Sequence, residues 1–258
     1  MSAPLEAVLA RDRAVVLGGL VSIVALSWAY MAYLAWQMQG MDPQMVAVQA
    51  QTWTPVDLAL LFVMWAVMMV AMMIPSAAPM VLTYTTVRRK RHTSERSLMP
   101  TGCFLAGYIA VWTGFSLLAT LAQWGLHEAA VLSPMMVSVS SLFGGLLLVA
   151  AGIFQWTPLK HACLKHCRSP LGFLLTDWEE GHAGAFQMGL KHGSDCAGCC
   201  WALMALLFVA GVMNLLWVAA IAAFVLIEKL APAGHWVGRA GGGLLISGGI
   251  WLLGSTFL

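Results

Sequence analysis

Long uninterrupted runs of apolar residues, separated by short polar stretches, set the pattern of this chain. Uncharged apolar runs cover 15–36, 58–87, 104–126, 135–156, 197–227 and 240–258. A helix needs about 20 mainly apolar residues to cross the hydrocarbon core of a bilayer, so each run predicts a membrane-crossing helix. The run 197–227 is 31 residues long, and as one straight helix it would reach about 46 Å, more than an ordinary bilayer. Gly211 and Asn214 sit in its middle and predict a tight turn, with the first half extended backward through 185–191 to complete a span. That division gives seven spans; six remain open if 197–227 is one long tilted helix.

Charge then orients the helices, because Lys and Arg near span ends stay preferentially on the cytoplasmic side. Arg88, Arg89, Lys90, Arg91 and Arg96 place the connection after the second run inside. Arg11 and Arg13 fall inside with them, whereas 37–56, free of Lys and Arg, and the segment with His127 and Glu128 fall outside. The segment 157–184, with Lys160, Lys165 and Arg168, returns to the cytoplasm, and Lys229 and Arg239 follow it there. The expected fold is therefore all-α: a polytopic transmembrane helical bundle with a cytoplasmic N-terminus. The first run is expected to be a retained span, since no small-residue cleavage site follows it.

Composition agrees: 60% of the 258 residues are hydrophobic, 9% are charged, and the mean hydropathy is +0.82. No water-soluble domain of this size is so apolar. A single integral membrane domain is expected over 1–258, with a Cys/His-containing cytoplasmic segment at 157–200.

Sulfur is unevenly placed. The second run carries Met64, Met68, Met69, Met72 and Met73 within about half of a helix circumference, and Met64, Met68 and Met72 form one ridge. Thioethers suit copper(I), but methionine also fills irregular helix interfaces. Pro75 cannot donate to the carbonyl of Ala71, which must find another partner.

Cys103 stands alone, whereas the other cysteines form two compact groups. Cys163 and Cys167 have the spacing of one helix face, with His161 and His166 beside them; Cys196, Cys199 and Cys200 share a face, with His192 one turn earlier. Reduced thiols on the cytoplasmic side leave metal binding or redox chemistry, and two thiolate pairs make a closed soft site in which an imidazole can replace one sulfur. Alternatively, Cys196 and Cys199 form a redox dithiol, with Cys163 and Cys167 as a second pair in a relay. Lys191, His192 and Asp195 are functional suspects if their helix starts near Ala185. Glu228 and Lys229 are expected to snorkel at a span end and pair with each other or with headgroups. Asp177, Glu179, Glu180 and His182 read better as a solvated loop than as hard ligands.

The run 64–76, Gly107-Tyr108 with Val111-Trp112, the stretch 159–170, and the stretch from Gly189 through Cys199-Cys200-Trp201 to Met213-Asn214-Leu215 together resemble one family. It is the bacterial family of predicted metal-binding integral membrane proteins catalogued as a domain of unknown function (DUF2182), and the resemblance covers roughly 58–229. It implies a multi-pass protein of the bacterial inner membrane, with Cys163, Cys167, Cys196, Cys199 and Cys200 as candidate ligands. It leaves metal and activity unnamed.

The resulting expectation is a membrane protein that binds a soft transition metal, copper first, with zinc and iron as alternatives. Its ligands would come from Cys163, Cys167, Cys196, Cys199, Cys200, His161, His166 and His192, with Met64, Met68 and Met72 as a second, intramembrane site. Two depths suggest transport, or delivery to a partner membrane or soluble metalloprotein. The alternatives are a thiol–disulfide carrier and an accessory structural subunit, in which the methionines and 241–243 serve close helix contact. No nucleotide-binding, histidine-box or nucleophile motif points to an enzyme, and nothing points to nucleic acid.

Overall fold

The computed structural model describes residues 3–39, 53–91, 97–129 and 140–255, and the regular structure among them is entirely helical. Arg96, most of the segment 37–56 and the start of the run 135–156 lie outside the described residues. In chain order the helices are α1 (Ala3–Gln39), α2 (Pro55–Arg91), α3 (Met99–Glu128), α4 (Ser141–Phe154) and α5 (Pro158–Arg168). They continue with α6 (Pro170–Thr176), α7 (Gly181–Ala205), α8 (Leu207–Ala210), α9 (Leu215–Leu230) and α10 (Gly234–Gly254).

Local chemistry explains the starts and breaks. At the start of α2 the Thr54 hydroxyl accepts from the Asp57 N–H at 3.3 Å while the Asp57 carboxylate accepts from the Thr54 N–H at 2.9 Å, a reciprocal cap that satisfies two otherwise orphaned donors. Ser140, Thr157 and Asn214 cap α4, α5 and α9 in the same sense, each accepting a backbone N–H three residues on. Pro158 supports α5 at its first turn, where a missing N–H costs nothing. Gly211 adopts φ +90°, a conformation that suits glycine. The stretch 197–227 is therefore two helical segments joined by a turn at Gly211 and Asn214, and the single long tilted helix does not form.

Among the described residues, four helical segments are long and apolar enough to cross a membrane: Val8–Met38, Pro55–Arg91, Met99–Glu128 and Gly181–Ala210. A fifth is added if α4 and α5, bent by 63° at their junction, count as one broken span. At 16 residues, α9 is shorter than an ordinary span.

α1 and α2 are antiparallel neighbours tied at two levels. Near one end, Arg89 donates to Asp12 at 2.6 Å in a buried ion pair, which brings Arg11 and Arg13 to the basic end of α2. Deeper in, the Trp28 indole N–H donates to the carbonyl of Ala71 at 3.2 Å. That carbonyl is the acceptor freed by Pro75, so a neighbouring helix satisfies it.

α3 and α7 cross closely in parallel through small residues. A Cβ at Gly189 would overlap the Phe104 carbonyl, one at Gly107 would overlap the Phe186 carbonyl, and one at Gly193 would press on Val111. α4 and α10 pack antiparallel in the same way, Gly145 against Gly249 and Gly152 against Gly242. Small residues let two backbones approach and gain dispersion contacts that lipid cannot outcompete. Of the 241–243 glycines, Gly242 faces Gly152 and Gly241 the Phe224 ring, while Gly243 meets open space.

Candidate metal centre

The buried face of α7 carries Cys196, Cys199 and Cys200, each about 1% exposed or less. Their i, i+3, i+4 spacing puts all three on one face of α7, from which Cys196 meets α3 and the end of α9 and Cys200 meets α2. The Cys196 thiol lies 2.8 Å from the Lys229 ammonium and 3.0 Å from the Tyr108 hydroxyl. Cys200 donates toward the thioether of Met73 at 3.9 Å. Cys199 and Cys200 also reach back to the Cys196 carbonyl, at 3.1 and 3.0 Å. Cys167 of α5 packs half-buried against the core that contains these thiols. The two cysteine groups, separated in sequence, therefore meet in one place.

Cys163 stands at the edge of this cluster, half-buried, with its sulfur over Gly198, where an added Cβ would come within 2.9 Å of it. The glycine is what lets α5 lie so close to α7. Among the described residues, no group of three or more His, Cys, Asp or Glu side chains is arranged, as it stands, to hold a metal ion. The thiols of Cys199 and Cys200 are instead turned to the Cys196 carbonyl.

Polar atoms frame the sulfur. Tyr108 and Ser76 both donate to the Met73 carbonyl, at 3.1 and 2.9 Å, and Lys229 also donates to the Ser76 hydroxyl at 3.2 Å. His192, one turn before Cys196, is buried with its Nδ1 unpartnered. Its ring lies between Phe104 and Tyr108, with centroids 6.1 and 5.7 Å away, and Phe173 meets it edge-on. His166 is largely exposed and faces Asp195 at 3.3 Å, while His161 is half-buried at a surface cavity.

Met64, Met68 and Met72 are all buried in the core. The methionine that meets a cysteine is Met73, which lies off the ridge picked out by the sequence. Met69, Met73, Ser76 and Met80 follow helical spacing on α2, and all are buried; Ser76, the first hydroxyl of that apolar run, was the available signal. Met73 stands at the middle of α2 (Pro55–Arg91) rather than at its basic end. The cluster is thus deeper along α2 than the expected cytoplasmic face.

Lys229 was expected to snorkel or to pair with Glu228, and it does neither. Successive helix residues point about 100° apart, so the two diverge. Glu228 forms a buried ion pair with Lys160 of α5 at 2.6 Å, and the Gln155 side chain also accepts from Lys160. Gly238 leaves room for that carboxylate, since a Cβ there would overlap a Glu228 oxygen. Toward the α6–α7 connection, Lys191 pairs with Asp177 and holds its carboxyl below the usual carboxylate range through that hydrogen bond.

Chemically, the cluster offers soft thiol donors and one thioether beside a single buried ammonium. Thiolates and thioethers select copper(I) over hard cations, and a fixed positive charge offsets the excess negative charge of several thiolates in an apolar interior. No curated protein and no solved structure matches the chain. A family model described as PpoB2, copper chaperone, matches residues 62–252, a stretch that includes every side chain of the cluster, and the chain belongs to that family.

Proposed function

We propose that the protein is a multi-pass membrane copper handler that binds copper(I) through Cys196, Cys199, Cys200 and Cys167, with Met73 as a further sulfur donor, and passes it on. The observation that carries the reading is the convergence of both cysteine groups around Lys229. Burial graded from Cys163 and Cys167 to Cys196, Cys199 and Cys200 supports stepwise ligand exchange, with copper entering over α5. His161, His166 and His192 are candidate auxiliary donors along that route, His192 with a free nitrogen beside the cluster. Met64, Met68 and Met72 lie buried in the core and are candidates for onward passage. Copper is the cargo, and its recipient is a membrane or soluble metalloprotein.

In the same reading the chain is one integral domain of a bacterial inner membrane with a cytoplasmic N-terminus, and a count of seven spans requires α9 and α10 to cross in addition to the five candidates. The Asp12–Arg89 pair supports the orientation, because it gathers the basic ends of α1 and α2 on one side.

The test is anaerobic copper(I) titration of the full chain in detergent under reducing conditions, against a chromogenic chelator. Stoichiometric binding is expected, and Cys196→Ser, Cys199→Ser or Cys167→Ser should each weaken it at least about tenfold. Absence of stoichiometric copper in the unsubstituted protein overturns the proposal. The thiol-redox alternative draws on the packing of Cys163 and Cys167 of α5 against the core that contains Cys196 and Cys199. It requires single Cys→Ser variants to trap mixed disulfides with a partner, while the unsubstituted protein binds no metal.

A further inference from the structure

A second chemical feature lies on the surface of α5, away from the thiols. His161, Leu164, Lys165 and Arg168 follow the i, i+3, i+4, i+7 spacing of one helix face, and with Ser169 and His235 they line a cavity of about 320 Å³. None of the lining residues is a carboxylate. Leu164 is buried, whereas Lys165 and His235 are exposed. Arg168 is half-buried and tethered through one guanidinium nitrogen to the carbonyls of Ala231 and Pro232, at 2.5 and 2.9 Å. Arg239, stacked over the Trp236 ring at 5.3 Å, adds a further cation next to the cavity.

Two more observations point to an anion. α10, 21 residues long, begins beside the cavity, and although its Gly234 and Trp236 N–H groups already donate to the Ala231 and Ala233 carbonyls, its N-terminus carries the positive end of the helix dipole. The surroundings are apolar and aromatic: Trp156, Leu159, Leu171 and Trp236 are 50–62% exposed. Tryptophans beside Lys and Arg mark the level of a bilayer interface, and basic pockets between membrane helices take anionic headgroups.

We propose that this cavity seats the phosphate of an anionic phospholipid headgroup, with the exposed apolar rim receiving the upper acyl chains. Lys165, Arg168 and His235 supply the donors, and the N-terminus of α10 adds its positive end. A zwitterionic headgroup fits less well, because its own cation meets the same positive field. A bound headgroup would also brace Arg168 against the turn that follows Glu228 and Lys229, and so steady the end of α9. The proposal does not depend on copper binding.

The test uses the full chain in detergent, with phosphatidylglycerol, phosphatidylcholine or inorganic phosphate added separately. Native mass spectrometry reads retained lipid and thermal unfolding reads stabilisation. Phosphatidylglycerol should be retained at least about tenfold over phosphatidylcholine. The Lys165→Gln, His235→Gln double variant, at exposed positions, should lose that preference, and Lys165→Arg should keep it. Equal retention of the two lipids, or a preference unchanged in the double variant, overturns the proposal. Stabilisation by inorganic phosphate without preferential retention of phosphatidylglycerol also overturns it, because the source would then be a free anion.

Discussion

Two lysines are buried close to one another in this bundle, and they have met opposite partners. Lys160 faces a carboxylate, Glu228, and a side-chain amide, Gln155. Lys229, the residue after Glu228, reaches the Cys196 thiol and the Ser76 hydroxyl, and among the described residues no carboxylate forms an ion pair with it. The first arrangement is the usual compensation of a buried charge and has no evident chemistry beyond holding α5 to α9. In the second, the anion must come from sulfur. A buried ammonium that waits on a thiolate favours a chemical role, because a carboxylate would have met the structural need with less reactive groups.

The contrast can be tested by removing partners, beginning with the largest expected effect. Glu228→Ala strands the Lys160 charge and should destabilise the protein by about 3–5 kcal/mol, read as a lowered midpoint of thermal unfolding in detergent. Replacing both partners, Lys160→Met with Glu228→Leu, should return most of that loss; if the double variant unfolds as early as Glu228→Ala alone, the pair has a role beyond charge compensation.

Lys229→Met should behave differently. It leaves no carboxylate uncompensated, so stability should fall less than in Glu228→Ala, while copper(I) affinity drops about tenfold or more, equivalent to about 1.4 kcal/mol. Equal copper affinity with and without the Lys229 amine would erase the distinction between the two lysines. Tyr108→Phe removes the hydroxyl shared by the Met73 carbonyl and the Cys196 thiol and should cost about 1 kcal/mol in unfolding free energy. A control away from both lysines, Met68→Leu with Met72→Leu, conserves volume and should cost less than about 1.5 kcal/mol, with copper content at the cluster unchanged. A lower copper content in that variant would make the ridge part of the same site.

Much of the helical architecture was legible because a bilayer allows few solutions. Runs of about 20 apolar residues must be helical, and Gly211 with Asn214 can only interrupt one. Pro75 announced an unpaired Ala71 carbonyl, although nothing local could name Trp28 as its donor, since the indole arrives from another helix. The cysteines were legible as two groups that could join in one site, but not which of them would approach: the seating of Cys163 on Gly198 depends on how α5 folds back along α7, and a 63° bend after α4 sets that. Lys229 was misread because its neighbour carries the opposite charge, and adjacency in sequence is separation on a helix.

The sequence by itself determined that this chain is an all-helical protein with apolar segments of bilayer length, and that its sulfur is concentrated on α2, α5 and α7. Composition and spacing suffice for that, because burying backbone polar groups in an apolar medium leaves the helix as the only local answer. Only the tertiary structure decided which sulfurs meet, that Met73 rather than the ridge of Met64, Met68 and Met72 faces a cysteine, and that Glu228 and Lys229 serve different centres. Those outcomes depend on the rotation and depth of each helix against its neighbours, set by glycine contacts such as Gly189 on Phe104 and Gly198 under Cys163. Such contacts have no signature in the hydrophobic pattern of a single segment.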